Sequence, residues 1–231
     1  SYTSGKLLSL IDDYLVKLYA DLENMVGIIR DLGQTIATVY IGGGTPTILS
    51  ETQLEMLFAA LHESLDFSEV KEFTLEGGRP DTVTAGKLAV AKRCGVNRMS
   101  VNPQTLRNDV LQKIGRHHTA EDFFRAYEIA RESGIPCINT DMIVGLPGDD
   151  AYGVESSLEG LLALHPENLT VHSLCMKNAA DLHKAEADEA ARRQKLEQIL
   201  PPQRQMTQSW VSDCVNRTLQ RARECGYRPY Y

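Results

Sequence analysis

The chain has 231 residues, 42% of them hydrophobic and 24% charged, a make-up that fits one large globular domain or a domain plus a fragment. A formal net charge of −7 with no basic stripe excludes the electrostatic footprint of a nucleic-acid or membrane binder, while leaving room for a local basic pocket. No apolar run reaches the roughly 18 residues a membrane span needs, and no signal peptide precedes the first helical pattern, so the expectation is a cytoplasmic protein. Cys94, Cys137, Cys175, Cys214 and Cys225 are odd in number, widely spaced and free of any C-x-x-C arrangement, which reads as buried thiols in a reducing compartment rather than a disulfide framework.

Leu8, Ile11, Leu15, Leu18, Leu22, Met25 and Ile29 recur at steps of three and four and predict an amphipathic helix. Thr38–Ile41 reads as a strand running into Gly42-Gly43-Gly44. Ser50 with Gln53 is a capping box opening a helix that carries Leu54, Leu57, Phe58, Leu61 and Leu65. A second strand, Glu72–Leu75, ends at Glu76; Thr84 caps the next helix and Gly95 closes it. Asn97–Val101 is the third strand, and Thr119 with Asp122 starts a helix that Gly134 ends. Cys137–Val144 is the fourth strand, Val154–Leu164 a helix and Leu169–Leu174 the fifth strand. Strands alternating with helices predict a parallel sheet with right-handed crossovers, either a partial barrel or a doubly wound sheet. Residues 1–178 form this α/β part; residues 179–231 form a helical extension, Ala179–Leu200 and Gln203–Cys225 around Pro201-Pro202, which ends in an aromatic, strand-like Gly226–Tyr231.

Polar residues gather after the strand ends, where the active sites of α/β barrels form. Gly42-Gly43-Gly44-Thr45-Pro46-Thr47 permits close backbone approach to a phosphate or an amino-acid head group, or is a structural turn; it lacks the Lys-Ser/Thr of a P-loop. Glu76 ends an apolar strand and either faces the site or pairs with Arg79. Asn102, Gln104 and Arg116 offer amide groups and a planar cationic fork, and the adjacent His117 and His118, read as helical, point apart and do not share a metal. Asp141 lies inside a strand, where aspartate is depleted and calls for a partner. His172 and Cys175 end the fifth strand, Cys175 as a core thiol or as part of the site. Gly44, Glu76, Gln104, Asp141 and Cys175 thus stand at or near the ends of successive strands, which predicts one ligand-holding pocket without a nucleophile–base pair.

The ordered motifs Tyr40–Thr47, Thr74-Leu75-Glu76 with Arg79–Thr82, Asn97–Thr105, Ile114–Thr119 and Asp141–Pro147 resemble the oxygen-independent coproporphyrinogen III oxidase family of radical S-adenosylmethionine (SAM) proteins. Ser100–Thr105, Thr170–Leu174 and Gly226–Tyr231 resemble its coproporphyrinogen dehydrogenase branch, and the resemblance runs from about Leu10 to Tyr231. It implies a partial (β/α)6 barrel of TIM type, lacking its first strand here, with a [4Fe–4S] cluster on three cysteines and SAM on the fourth iron. It implies SAM contacts for Gly43, Gly44, Thr45, Glu76, Gln104, Arg116, Asp141 and Cys175. The implied reaction cleaves SAM to a 5′-deoxyadenosyl radical, which abstracts hydrogen from a propionate of coproporphyrinogen III and yields the vinyl groups of protoporphyrinogen IX in haem biosynthesis. The implied partners are a tetrapyrrole and an electron donor such as flavodoxin or ferredoxin.

The chain departs from the family pattern in lacking the C-x-x-x-C-x-x-C motif, expected immediately before Ser1, and in carrying Gly77 where alanine is usual. The expectation is that the chain as written neither binds the cluster nor turns over, because its cysteines are scattered. A haem chaperone of the same superfamily and a degenerate SAM-binding module are the alternative readings.

Overall fold

The computed structural model describes residues 8–174 and 208–229. Five strands alternate with helices: α1 (Ile11–Asp31), β1 (Thr38–Ile41), α2 (Glu51–Ser64), β2 (Glu72–Glu76), α3 (Ala85–Arg93), β3 (Arg98–Ser100), α4 (Asn108–Lys113), α5 (Ala120–Glu132), β4 (Cys137–Val144), α6 (Ala151–Leu162), β5 (Asn168–Ser173) and α7 (Gln208–Glu224). The sheet order is β1-β2-β3-β4-β5, and the registers Tyr40↔Thr74, Thr74↔Arg98 and Arg98↔Cys137 are all parallel. Strands taken in sequence order have no switch point, so the doubly wound alternative fails and the barrel-type winding holds.

The predicted ends are set by local chemistry. Ser50 accepts from Gln53 N while Gln53 Oε1 accepts from Ser50 N, the reciprocal capping box. Thr84 accepts from Lys87 N at the start of α3, and Gly95 (φ +90°) closes it, with Val96 N bonded to Ala91 O. Helix α6 starts at Ala151, earlier than the apolar spacing predicts, because Asp150 caps it through Gly153 N. The pattern does not anticipate α4, whose 6 residues are too few for periodicity to register. Residues 225–229 form a turn and irregular chain rather than the expected strand, and Tyr227 Oη donates to Pro166 O at 2.6 Å. The predicted helix over residues 179–200 lies outside the described residues, as do the first residues of the second tail helix, which the structure starts at Gln208.

The chain divides into two compact units, Ser1–Asn102 with Asp122–Asn139, and Pro103–Glu121 with Thr140–Tyr231. The first has a core of Leu54, Phe58, Phe73, Leu75, Leu88, Met99, Phe123 and Ile138, with Phe58 edge-on to Phe73 at 5.6 Å between ring centroids. In the second, Leu111, Met142, Val144, Leu146, Leu158 and Leu161 are buried. Each such side chain contributes about 1.5–3 kcal/mol over leaving it in water.

Candidate functional site

A parallel sheet covered on both faces reads as continuous apolar runs. The strands of the first unit instead alternate: Val39, Phe73, Leu75, Met99, Val101 and Ile138 against Tyr40, Thr74, Glu76, Arg98, Ser100 and Asn139. Side chains along a strand alternate in direction, so the registers place each set on its own face. Phe73 turns to Phe58 of α2, which makes the first set the helix-covered face. Across the other face Thr74 Oγ1 donates to Glu72 at 3.1 Å and Arg98 pairs with Glu72 at 3.4 Å. One face of the sheet is therefore polar.

At the C-terminal end of that face stands Glu76, half-buried, its Oε2 accepting from Tyr40 Oη at 3.0 Å. Glycines surround its carboxylate. A Cβ on Gly42 would lie 2.8 Å from Oε2, and one on Gly78 would lie 3.2 Å from Oε1 and 3.8 Å from the carbonyl oxygen of Gly44. Only residues without side chains leave this acceptor open, and Gly43 holds φ +116°, a conformation that favours glycine. Arg79, the alternative partner considered for Glu76, makes a two-point pair with Asp81. The arrangement is a carboxylate beside exposed backbone groups, suited to an ammonium-bearing head group.

Behind it the glycine turn and the turn after β2 are tied together. Thr82 Oγ1 donates to Arg79 O at 2.8 Å, which leaves Thr47 Oγ1 as the donor in its 2.6 Å bond to Thr82. Lys87 Nζ donates to Thr47 O at 2.6 Å and Thr82 O at 3.2 Å, spanning the 3-10 turns Pro46–Ile48 and Pro80–Thr82. Burial pushes the Lys87 pKa down, against an opposing pull from Glu51.

The second unit carries Gln104, Arg116 and Asp141. Gln104 is buried and holds φ +69°, pinned by Gln104 N to Asp141 O at 3.2 Å and Ile143 N to Gln104 O at 2.8 Å. A non-glycine residue fixed there by its surroundings is a mark of functional sites. Arg116 is half-buried just past the closing Gly115 (φ +72°) of α4, with its N–H bonded to Leu111 O. His117 and His118 lie in the irregular segment between α4 and α5, not on a helix as expected; His118 is buried against Pro103 O at 3.2 Å and His117 is exposed. Asp141 lies 3.9 Å from His172 Nε2, an ion pair only when the imidazole is protonated. Cys175 lies outside the described residues.

The motifs contain Tyr40, Thr47, Thr82 and Ser100 without giving them a role, and leave out Lys87. The period-two alternation of the strands was the available signal for Tyr40 and Ser100; the tie through Thr47, Thr82 and Lys87 joins residues 35 and 40 positions apart and leaves no local trace. Among the described residues no group of three or more His, Cys, Asp or Glu side chains could hold a metal ion. Cys94 ends α3, Cys137 opens β4, Cys214 is buried in α7 and Cys225 is exposed. Burial raises the thiol pKa of Cys94 and Cys214. The glycine-flanked carboxylate does fit the amino-acid part of SAM. Among the described residues no helix is long and apolar enough to cross a membrane.

The chain is 34% identical over 223 residues, 96% of its length and 42% of the relative's, to the oxygen-independent coproporphyrinogen-III oxidase-like protein HemZ of Bacillus subtilis. It is 40% identical over 169 residues, 72% of its length and 44% of the relative's, to the heme chaperone HemW of the same organism. It thus spans less than half the length of these relatives. The solved structure of coproporphyrinogen III oxidase HemN of Escherichia coli, a radical SAM enzyme, shares the fold with a TM-score of 0.72 at 24% identity, covering 92% of this chain and 46% of that one. The family model described as Radical SAM superfamily matches residues 16–159. With a sheet wound in sequence order and a glycine turn beside a strand-end carboxylate, the chain belongs to the radical SAM superfamily.

Proposed function

We propose that this chain is the SAM-holding part of a radical SAM protein of tetrapyrrole metabolism, acting in the oxidative decarboxylation of coproporphyrinogen III. The observation that carries the SAM reading is the Glu76 carboxylate, held by Tyr40 and walled by Gly42 and Gly78. Glu76 accepts the ammonium of the methionyl part, and the backbone of Gly43, Gly44 and Thr45 lies along it. The same assignment extends, by motif, to Gln104, Arg116 and Asp141, and to Cys175, which lies outside the described residues. When bound, SAM supplies the radical chemistry for which the superfamily is named; the chain's residues hold and orient it. The tetrapyrrole substrate is supported by the similarity to the coproporphyrinogen oxidase-like relative, which runs through 96% of the chain.

A second reading, a heme chaperone, is favoured by the higher identity, 40%, over the shorter span shared with HemW. Anaerobic reconstitution of the protein from its complete coding sequence with iron and sulfide separates them. The proposal expects a visible iron–sulfur charge-transfer band and SAM-dependent formation of 5′-deoxyadenosine with coproporphyrinogen III consumed. Haem binding without SAM cleavage gives the second reading, and absence of both the band and deoxyadenosine overturns the first. Arg116→Ala and Asp141→Ala are each expected to weaken SAM binding about tenfold by calorimetry, the loss of a charged hydrogen bond.

A further inference from the structure

The polar face of the first unit carries two buried groups that the described structure leaves unsatisfied. Ser100 is 8% exposed and Asn102 is 5% exposed, and neither Ser100 Oγ nor Asn102 Oδ1 has a hydrogen-bond partner among the described residues. Leaving such a group unpaired in a folded interior costs about 1–3 kcal/mol. Proteins therefore carry few of them, and each one asks for water or a ligand.

Their place on the sheet selects between those answers. Ser100 is in register with Glu76 on the neighbouring strand, so both side chains stand on the same face at the same level. Gly77 N donates to Ser100 O at 2.9 Å and fixes the two strands together at that level. Asn102 stands two residues on. Val101 N still bonds to Asn139 O, and Pro103 restricts Asn102 to extended backbone, so the alternation continues and Asn102 points to the face of Ser100. The neighbours on that face have partners: Thr74 bonds to Glu72, Arg98 pairs with Glu72, and Glu76 accepts from Tyr40. Two of the four unsatisfied buried side-chain atoms among the described residues, the others being Tyr19 Oη and Thr140 Oγ1, thus fall beside the glycine-walled carboxylate, at or beyond its level.

We infer that Ser100 and Asn102 are ligand-contact residues that accept N–H donors from a molecule seated on the polar face of the sheet, an inference that rests on the SAM and tetrapyrrole reading above. Both ligands of that reading offer such donors: SAM through its ammonium and adenine amino groups, a porphyrinogen through its pyrrole N–H groups. The shared chemistry is a polarised N–H meeting a buried, otherwise unpaired oxygen. Asn102 supplies an amide oxygen aimed in a fixed direction, and Ser100 a rotatable hydroxyl that turns its lone pairs to the ligand.

The inference has a signature opposite to that of a structural residue. Removing an unpaired buried polar group relieves the empty protein, whereas removing a satisfied one harms it. Ser100→Ala and Asn102→Leu in the reconstituted, complete protein are expected to melt at or above the wild-type temperature without ligand. Both are expected to bind at least one ligand about tenfold more weakly in anaerobic titrations with SAM and, separately, with coproporphyrinogen III. Asn102→Asp keeps the acceptor oxygens and is expected to retain most of the affinity. A loss confined to SAM assigns the contact to its ammonium or adenine; a loss confined to coproporphyrinogen III assigns it to the pyrrole groups. Unchanged affinity for both ligands means the atoms are satisfied by water, and overturns the inference while leaving the proposed function standing. A fall of several degrees in the unliganded melting temperature of both variants makes them structural and also overturns it. Wild-type protein that binds neither ligand overturns both readings.

Discussion

Gly77 shows how one residue type fixes the geometry around the site. A Cβ there would lie 2.5 Å from the carbonyl oxygen of Ser100, an atom of the neighbouring strand that cannot step aside without breaking the ladder. Gly77 N also donates to that oxygen at 2.9 Å, so glycine allows β2 and β3 to close just past Glu76. Glycine at this position therefore has a local physical reason in this chain. Gly77→Ala is expected to cost about 1–3 kcal/mol in urea unfolding, as overpacking does. Because the strain acts one residue from Glu76, SAM affinity should fall with it. Wild-type stability in the alanine variant would show that the strands move apart freely. At this scale the motifs named Glu76, Gln104, Arg116 and Asp141 as residues worth attention, but not their partners. The bond from Tyr40 to Glu76 joins residues 36 positions apart, and the left-handed backbone of Gln104 depends on pairing with β4. Neither is written in local spacing.

The elements were more legible than the links between them. β1 and β4 follow the predicted ranges, since β-branched and aromatic residues ending at glycine or turn residues leave little freedom. β3 is one residue shorter at each end than predicted, because Asn97 spends its side chain on the main chain of the neighbouring strand, at Phe73 N and Lys71 O. The two 3-10 turns and the lysine that joins them were invisible to periodicity, yet they hold the backbone on which Thr45 and Glu76 sit. Lys87 makes that tie testable through pH. Its folded pKa lies below the ordinary 10.5, so between the lowered value and 10.5 the unfolded chain holds a proton that the folded chain has released. Stability contributed by Lys87 therefore rises with pH across that window and is flat above it. Lys87→Met removes this rise. The stability difference between wild type and variant, followed by denaturant unfolding at successive alkaline pH values, should grow in favour of wild type as pH climbs toward 10.5. A difference independent of pH would mean that the ammonium is not desolvated. Tyr19, whose pKa burial raises, is common to both proteins and cancels.

For the whole molecule, charge adds what neither residues nor elements supply. The chain's formal charge of −7 makes it an attractor for cations, and SAM carries a net positive charge through its sulfonium. S-adenosylhomocysteine has the same adenosine and amino-acid groups but no sulfonium, and is net neutral near pH 7. If the acidic chain and Glu76 draw SAM in by field as well as by contact, its affinity must fall as salt is added. The screening length shrinks from about 10 Å at 0.1 M to about 3 Å at 1 M, so attraction from charges beyond the first contacts is lost over that range. The affinity of S-adenosylhomocysteine should stay nearly flat over the same series, since its contacts are short-ranged and its net charge is zero. Glu76→Gln should weaken SAM more than S-adenosylhomocysteine and reduce the salt slope of SAM alone, because the variant removes the charge nearest the ligand while keeping the amide's capacity to accept. Equal salt slopes for the two ligands would show that the sulfonium lies outside the field of the chain, and that the recognition attributed to the Glu76 rim is a matter of hydrogen bonds to the head group only.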